Sequence, residues 1–167
     1  ASYLPTQQLV DMYRMDNGLP INDPASGYDP MNPFDNREER FYESILYDSS
    51  YWAGYLFTLN GGTDMQALVK PGGELSTGYR RIKGTDPSLG TDGFFTAEAC
   101  NSPVFRYAEV LLMYAEAKFK LGEADQDAID ALDAVRERGD LPTVSDTYGG
   151  IPSIDDLLDI IWYERAV

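Results

Sequence analysis

PVFRYAEVLLMYAEAKFKLGEADQDAIDALDAVRERGDLP, residues 103–142, contains two helix patterns separated by only a few residues. The first predicts a helix from Pro103 to near Gly122, because proline favours the first turn of a helix and glycine follows its last turn. Most faces of this helix are apolar, which is typical of a buried helix. The second helix follows Asp125, a predicted N-cap, and ends near Gly139. The short link predicts that the two helices pack as an antiparallel hairpin.

This hairpin also carries part of a tetratricopeptide pattern, in which small residues let two helices approach closely. The matching positions are Ala115, Ala117, Ala128, Leu132, Val135 and Pro142. The match needs one extra residue in the turn, and the sequence contains one such unit. The spacing therefore predicts a tetratricopeptide-type helical hairpin.

PSIDDLLDIIWYERAV, residues 152–167, predicts a further helix. Ser153 is its predicted N-cap, and Asp155 and Asp156 fill its first turn, where negative charge is favourable. The apolar residues that follow have helical spacing. The pattern continues to Val167 without a stop signal, which is expected either for a natural C-terminus or for a helix cut by the end of the sequence.

Residues 1–102 hold seven of the ten prolines and most of the Asn-Gly, Asp-Pro and Pro-Gly turn pairs. A short helix is predicted at Gln7–Tyr13, and strands are predicted in ERFYESILY (39–47) and GYLFTL (54–59). The whole chain is thus predicted to be mainly α, with an irregular, loop-rich and short-stranded part.

The charge and composition exclude several classes of protein. The chain has 28 acidic and 13 basic residues and a net charge of −15, whereas a nucleic-acid-binding protein needs a basic face. No histidine is present, which removes Ser-His-Asp and Cys-His catalysis. The single cysteine, Cys100, cannot form an intrachain disulfide and is interpreted as a small buried apolar residue. No apolar run reaches the ~20 residues that a membrane helix needs.

No catalytic residue, metal site or cofactor is predicted from the motifs. A glycosidase needs two carboxyl groups facing each other across a cleft, and neighbours such as Glu38 and Glu39 do not indicate that geometry. MDNGLPINDPASGYD, residues 15–29, is rich in Asp and Asn but lacks the register of a calcium-binding loop. These residues are therefore interpreted as turn formers.

Seven segments occur in an order that closely resembles the C-terminal part of the SusD/RagB family. They are PTQQLVDMYRMDNGLPI (5–21), GYDP (27–30), NREERFYESILY (36–47), TGYRRIKG (77–84), PVFRYAEVLLMYAEA (103–117), ALDAVRERGDLP (131–142) and WYERAV (162–167). The resemblance covers nearly the whole chain. It differs in having Glu38 and Glu39 within the family's N-R-D-P-R-F segment, Asp133 where Asn is usual, and Gly139-Asp140 within R-A-G-L-P.

The resemblance implies a non-catalytic lipoprotein on the surface of the Gram-negative outer membrane. Such proteins take part in nutrient uptake and polysaccharide utilisation, capturing an oligosaccharide or polysaccharide for a partner TonB-dependent transporter of the SusC type. Membrane attachment would come only from a lipid anchor in an N-terminal part that this sequence lacks. Residues 1–102 would be the loop-rich, aromatic ligand-capture part and residues 103–167 the helical scaffold part of one larger SusD-like domain.

Two groups of charged residues within these segments are interpreted as structural. Arg106 and Glu109 lie one helical turn apart in an apolar helix, which predicts a buried ion pair. Arg37 and Arg40 flank two glutamates, which predicts a network that fixes a loop.

An aromatic cluster is the main candidate for ligand binding. Sugars present apolar C–H faces to aromatic rings, and a rigid ring loses little entropy on binding. The candidate glycan-binding residues are Trp52, Tyr51, Tyr55, Tyr47 and, in second rank, Tyr28. For Trp52 the alternative is packing on the core beneath the loop, since Trp is usually well buried.

Three hypotheses for function remain open at the level of the sequence. The first is glycan capture, and the second is capture of a peptide or another nutrient by the same architecture. The third is a helical-repeat module that binds a protein, which the tyrosine-rich first hundred residues disfavour. The rival to these three is a carbohydrate-active enzyme, which would release reducing ends from a polysaccharide, whereas a binding protein would not.

Overall fold

The structure is a computed structural model that describes residues 4–58, 77–86, 88 and 104–167. The predicted burial of Cys100 lies outside these residues. The described part of the chain is mainly helical, as predicted.

The described residues form six helices and four short strands. In chain order they are α1 (Gln7–Met12), α2 (Glu39–Ser44), β1 (Ile45–Leu46), β2 (Tyr51–Trp52), β3 (Tyr55–Leu56), β4 (Arg80–Arg81), α3 (Tyr107–Lys120), α4 (Gln126–Arg138), α5 (Val144–Tyr148) and α6 (Ile154–Ala166). Strand β1 pairs antiparallel with β4, and β2 pairs antiparallel with β3.

The chain divides into two compact units. The strand unit contains Ala1–Val10 and Phe41–Ser102, and the helical unit contains Asp11–Arg40 and Pro103–Val167. The strand unit has a small apolar cluster formed by Leu46, Trp52, Phe57 and Ile82. The helical unit has a larger cluster, to which α3, α4 and α6 all contribute.

The predicted helical hairpin forms the centre of the helical unit. Helices α3 and α4 pack against each other, and the small residues Ala115 and Ala128 are completely buried at their contact. Leu112, Phe119 and Leu132 fill the space around them, and α6 packs on the same core. Small residues at the contact allow the two backbones to approach closely, which is the arrangement that the tetratricopeptide spacing predicts.

Both predicted N-caps are confirmed. The Asp125 side chain accepts a hydrogen bond from the Ala128 N–H at 3.1 Å, and the Ser153 hydroxyl accepts one from the Asp156 N–H at 3.3 Å. Each bond satisfies an N–H group that has no partner within the helix. Helix α5, which was not predicted, is capped in the same way by Thr143.

Two predicted boundaries were wrong. Helix α3 begins at Tyr107 rather than Pro103, because Arg106 is extended and Val104 and Phe105 are exposed, with no packing to hold a first turn. ERFYESILY was predicted to be a single strand, but it forms helix α2 followed by the two-residue strand β1. Phe41, Ser44 and Ile45 are buried at helical spacing, which outweighs the partial alternation seen in the sequence.

Helix α3 is apolar on a second face that is exposed in the helical unit. Tyr107, Val110, Tyr114 and Leu121 follow helical spacing and are all exposed. The predicted buried pair of Arg106 with Glu109 was also wrong. Glu109 instead binds Arg165 of α6, with 3.0 Å between the Arg165 Nε and a carboxylate oxygen, at a partly exposed site.

A buried network of charged side chains joins α4, α6 and the segment around residue 38. Arg136 is fully buried, and its Nη1 donates to Glu164 at 3.2 Å. The second carboxylate oxygen of Glu164 accepts a bond from Arg40 Nη1 at 2.8 Å, and Arg40 Nε donates to Glu38 at 2.6 Å. The other oxygen of Glu38 accepts the Arg14 N–H at 2.7 Å. Since each charge has a partner of opposite sign, the cost of burying it is offset.

Burial disfavours the charged form of the Glu38 carboxylate in this network. It raises the pKa of Glu38 above its usual value, even though Arg40 and the Arg14 N–H favour the charged form. Arg37 completes the fixation of this loop by donating to the Tyr13 carbonyl at 2.6 Å and the Pro33 carbonyl at 3.1 Å. The predicted loop-fixing network is therefore confirmed.

Two glycines allow this network to pack closely. A Cβ on Gly18 would lie 2.8 Å from Arg136 Nη2 and 2.6 Å from the Thr147 hydroxyl oxygen, and a Cβ on Gly139 would lie 2.7 Å from Arg40 Nε. Gly18 also has a φ of +82°, a conformation that residues with a side chain rarely adopt. Any larger residue at position 18 is therefore strained and crowded.

We expect Arg136→Met to lower the free energy of unfolding of the intact protein by about 3 kcal/mol, because it leaves the Glu164 carboxylate with one cation fewer in a buried site. Urea denaturation measures the change. Arg165→Met is the matched control, since it removes an arginine that pairs with Glu109 and Glu116 at a partly exposed site and should cost less than about 1 kcal/mol. Equal losses in the two variants would contradict a special role of the buried network.

We expect Asp133→Asn to stabilise the protein at pH 7. Its carboxylate accepts the Val144 N–H at 2.7 Å, and partial burial raises its pKa above the ordinary value. A raised carboxyl pKa means that the charged form is disfavoured in the folded state, so the penalty is present above the folded-state pKa and disappears below the unfolded-state pKa. An amide oxygen keeps the hydrogen bond without the charge.

The stabilisation by Asp133→Asn should be on the order of a few tenths of a kcal/mol at pH 7, because solvent screens a half-exposed group. It should shrink as the pH falls through the folded-state pKa of Asp133. Unfolding free energies measured in urea between pH 7 and pH 3 test this trend. A variant that is less stable than the wild type at pH 7 would show that the amide does not replace the carboxylate as acceptor.

Candidate functional site

Three of the five predicted aromatic residues lie on one tight hairpin. Strands β2 and β3 pair Tyr51 with Leu56 and Trp52 with Tyr55. The two turn residues between the strands, Ala53 and Gly54, both have positive φ angles, of 51° and 84°. A two-residue turn of this kind matches the twist of the strands that it joins. The hairpin therefore fixes the direction of its aromatic side chains.

Trp52 faces inwards from this hairpin. Its side chain packs with Leu46, Phe57 and Ile82, and only 9% of the residue is exposed. The Phe57 N–H donates to the Ser50 carbonyl at 2.8 Å and the Ser49 N–H donates to the Phe57 carbonyl at 2.7 Å, so the strand ends are bonded on both sides of the cluster. The structure thus gives Trp52 the core position that was the alternative to ligand contact, and its glycan-binding role stays a prediction.

Tyr51 and Tyr55 are the exposed aromatics of the hairpin, with 74% and 37% of their surface accessible. In an antiparallel pair, residues directly opposite each other point to the same face, and neighbours along a strand point to opposite faces. Tyr55 therefore shares a face with Trp52, whereas Tyr51 lies on the other face with Leu56. The two tyrosines do not form one flat platform, and Tyr51 is the more accessible of the two.

Tyr47 and Tyr28 are both half-buried, but in different units. The Tyr47 ring stacks on the fully buried Phe41, with 5.3 Å between the ring centroids and 24° between the planes. The turn after it is held by Ser50, whose hydroxyl accepts the Tyr47 N–H at 3.1 Å and donates to the Tyr47 carbonyl at 2.6 Å. Tyr28 belongs to the helical unit, and its N–H donates to the Ser26 hydroxyl at 3.2 Å.

The Asp- and Asn-rich segment around Tyr28 is a series of side-chain turns, as predicted. Asp23 accepts the Ala25 N–H at 2.8 Å, and Asp29 accepts the Met31 N–H at 2.9 Å. The bond from the Met31 N–H, together with one from the Asn32 side chain, holds the pKa of Asp29 below its usual value. The acidic oxygens are thus engaged by local backbone, and among the described residues no group of three Cys, Asp or Glu side chains is placed to hold a metal ion.

The helical unit contains a cavity that the sequence analysis missed. It has a volume of about 550 Å³ and is lined by charged, aromatic and apolar side chains, including Arg14, Tyr148, Asp156, Asp159 and Tyr163. The sequence gave no indication of this cavity, because Arg14 lies far from the other four residues along the chain. The one local signal is the spacing of Asp156, Asp159 and Tyr163, which places them on one face of α6.

A comparison with protein families gives one clear result. The sequence matches the SusD family over residues 1–167, and the chain therefore belongs to this family. No curated protein matches the sequence. None of the helices in the described residues is both long enough and apolar enough to cross a membrane.

Solved structures resemble the chain over almost all of its length. A SusD-like carbohydrate-binding protein from Bacteroides fragilis is 26% identical, with a TM-score of 0.71, over 96% of this chain and 32% of that one. A second SusD-like protein from Bacteroides fragilis is 25% identical, with a TM-score of 0.61, over 96% of this chain and 32% of that one. The chain thus spans about a third of the length of these two proteins.

We expect Trp52→Ala to destabilise the strand unit by about 3 kcal/mol, because it removes the largest side chain of the cluster with Leu46, Phe57 and Ile82 and leaves a cavity. Tyr51→Ala in the same strand should change stability by less than about 0.5 kcal/mol, since its ring is exposed. Urea denaturation followed by tyrosine and tryptophan fluorescence compares the two variants. A fully stable Trp52→Ala protein would contradict the core position of this side chain.

Proposed function

We propose that this protein captures glycans at the cell surface without chemical turnover and delivers them to a TonB-dependent, SusC-like transporter of the outer membrane. The observation that carries the proposal is the likeness of 96% of the chain to a SusD-like protein described as carbohydrate-binding. Membership of the SusD family supports the same reading. The ligand class is a neutral or weakly charged oligosaccharide or polysaccharide, which suits a protein with a net charge of −15.

The β2–β3 hairpin is the part of the strand unit best suited to contact a sugar ring. Tyr51 is 74% exposed and stands on a turn with fixed geometry, so its ring is presented with little freedom to lose. Trp52 supports the strand from beneath, and Tyr55 adds a second, more sheltered ring. We propose Tyr51 and Tyr55 as direct contacts, and Tyr47 and Tyr28 as residues of the same loop-rich ligand-capture part.

The remaining parts of the proposal follow from the family. The protein is proposed to act by binding alone, as the description of its solved relative as a binding protein suggests. Attachment to the outer membrane is proposed to come from a lipid anchor outside these 167 residues. Residues 103–167 are proposed to be scaffold, because the packed helices α3, α4 and α6 give them a rigid apolar core.

Capture of a peptide by the same architecture is the alternative with a structural observation in its favour. The exposed apolar face of α3, with Tyr107, Val110, Tyr114 and Leu121, is of the kind that contacts protein segments. The peptide alternative predicts that the purified protein binds peptides and binds no glycan.

We expect Tyr51→Ala to weaken binding of the intact protein to its polysaccharide by about fivefold to tenfold, the effect of losing one stacked aromatic ring. Tyr107→Ala is the matched control, because Tyr107 is exposed to the same extent, 74%, on a helix of the other unit. Calorimetric titration against plant, host and microbial polysaccharides measures both variants, with reducing ends assayed in parallel.

Each outcome of that titration separates the hypotheses. Binding without release of reducing ends supports capture, and release of reducing ends would show an enzyme. Binding of peptides but of no glycan would favour the alternative. Equal affinities in Tyr51→Ala and wild type would remove the hairpin from the glycan site.

A further inference from the structure

The cavity of the helical unit has the size of a small-molecule site. Its volume of about 550 Å³ falls within the range of about 300–1,000 Å³ that is typical of ligand pockets. One wall is α6, which presents Asp156, Asp159 and Tyr163, three or four residues apart, on one helix face. The cavity therefore rests on a helix that is anchored in the core by Leu157 and Ile161.

A second part of the lining is the segment that follows α5. Gly149 ends this helix in a left-handed conformation with a φ of +73°, and a Cβ there would meet no atom within 4 Å. The chain then turns away through Gly150 to Ile151 and Pro152, all of which line the cavity. The sharp turn leaves Tyr148 at the rim, with about a third of its surface exposed.

Arg14 contributes a buried positive charge to this cavity. Only 3% of the residue is exposed, and its Nη1 donates to the Gly18 carbonyl at 3.1 Å and to the Tyr148 hydroxyl at 3.0 Å. Its guanidinium carbon lies 5.1 Å from the centre of the Tyr163 ring, a cation–π contact. Arg14 Nε is buried and has no hydrogen-bond acceptor in the described part of the chain.

The charge of Arg14 is not balanced as the charges of its neighbours are. Across residues 4–58, 77–86, 88 and 104–167, Arg40 and Arg136 each form an ion pair with a carboxylate, whereas no ion pair includes Arg14. A buried cation without a partner of opposite charge is costly, and native proteins keep such groups mainly where a ligand or a partner binds. The lining of the cavity thus combines the positive charge of Arg14 with the carboxylates of Asp156 and Asp159.

We propose that this cavity is a second binding site, separate from the β2–β3 hairpin, for a neutral sugar unit. Arg14 offers N–H donors, Asp156 and Asp159 offer carboxylate acceptors, and Tyr148 and Tyr163 offer aromatic rings. An anion would face the two carboxylates, and a cation would face Arg14. A sugar hydroxyl both donates and accepts, so a neutral ring satisfies groups of both signs, and its C–H face packs on a tyrosine.

Asp159 is the residue that tests the site with least disturbance. It is exposed at the mouth of the cavity and lies in the middle of α6, where alanine is the best helix former. Asp156 is unsuitable, because its carboxylate accepts the Ser153 hydroxyl at 2.6 Å as part of the helix cap. Arg14 is unsuitable as well, because its guanidinium also bonds the Gly18 carbonyl and the Tyr148 hydroxyl, which a substitution would leave without this donor. Asp155→Ala is the matched control, because Asp155 is an exposed aspartate of the same helix that does not line the cavity.

The inference rests on the proposed function in taking a glycan as the ligand. The probes are the hexasaccharides of glucose, xylose and mannose as neutral ligands, of galacturonic acid as anion and of glucosamine as cation, with a hexapeptide mixture beside them. Calorimetric titration of the intact protein compares wild type, Asp159→Ala, Asp155→Ala and Tyr51→Ala. We expect a neutral hexasaccharide to bind best, and Asp159→Ala to weaken it about tenfold, the effect of losing hydrogen bonds to a charged group.

The controls make failure of this inference distinct from failure of the proposed function. Asp155→Ala should bind within about twofold of wild type, and the effects of Asp159→Ala and Tyr51→Ala should be independent, as for separate sites. Unchanged binding in Asp159→Ala, with binding still weakened by Tyr51→Ala, would overturn the cavity site alone. Preference for the acidic or basic hexasaccharide, or binding of the peptides in its place, would overturn the ligand class. No binding of any glycan by wild type would overturn both proposals.

Discussion

The buried ion pair of Arg136 with Glu164 is the interaction on which the helical unit depends most. It joins α4 to α6 at a point without solvent, and through Arg40 and Glu38 it holds the segment that contains residues 13–40. A network of this kind contributes less to net stability than its short distances suggest, because burial of each charge is costly. Its effect is to allow one arrangement only, since any shift of one member leaves another without a partner.

The helical part of the fold could be predicted because its signals are local. Asp125 and Ser153 indicate the starts of their helices by side chains that reach N–H groups three residues on. Ala115 and Ala128 lie buried at the contact between α3 and α4 as predicted, whereas Ala117 is exposed. The start of α3 and the helix at Glu39–Ser44 were missed for the opposite reason. At the start of α3, packing within the folded unit decides whether a first helical turn forms. At residues 39–44, it decides whether a short apolar pattern becomes helix or strand.

The candidate sites show the same limit. The cluster of tyrosines around Trp52 was visible in the sequence. Which ring faces solvent is decided by the register of β2 with β3, and this register is fixed only when the two strands pair. The cavity in the helical unit was not visible at all. Its cation comes from residue 14 and its acceptors from α6, and neither stands out among the 28 acidic and 13 basic residues of the chain.

The close approach at Gly18 has an evolutionary consequence. A side chain at position 18 would collide with both Arg136 and Thr147 and would also be strained at a φ of +82°, so a change of the glycine requires changes at both neighbours. The positions that form the buried ion pair and those that leave room for it are therefore expected to change together during evolution. Among related sequences, position 18 should vary together with positions 136 and 147 more than 100 residues away, as covarying pairs in contact do.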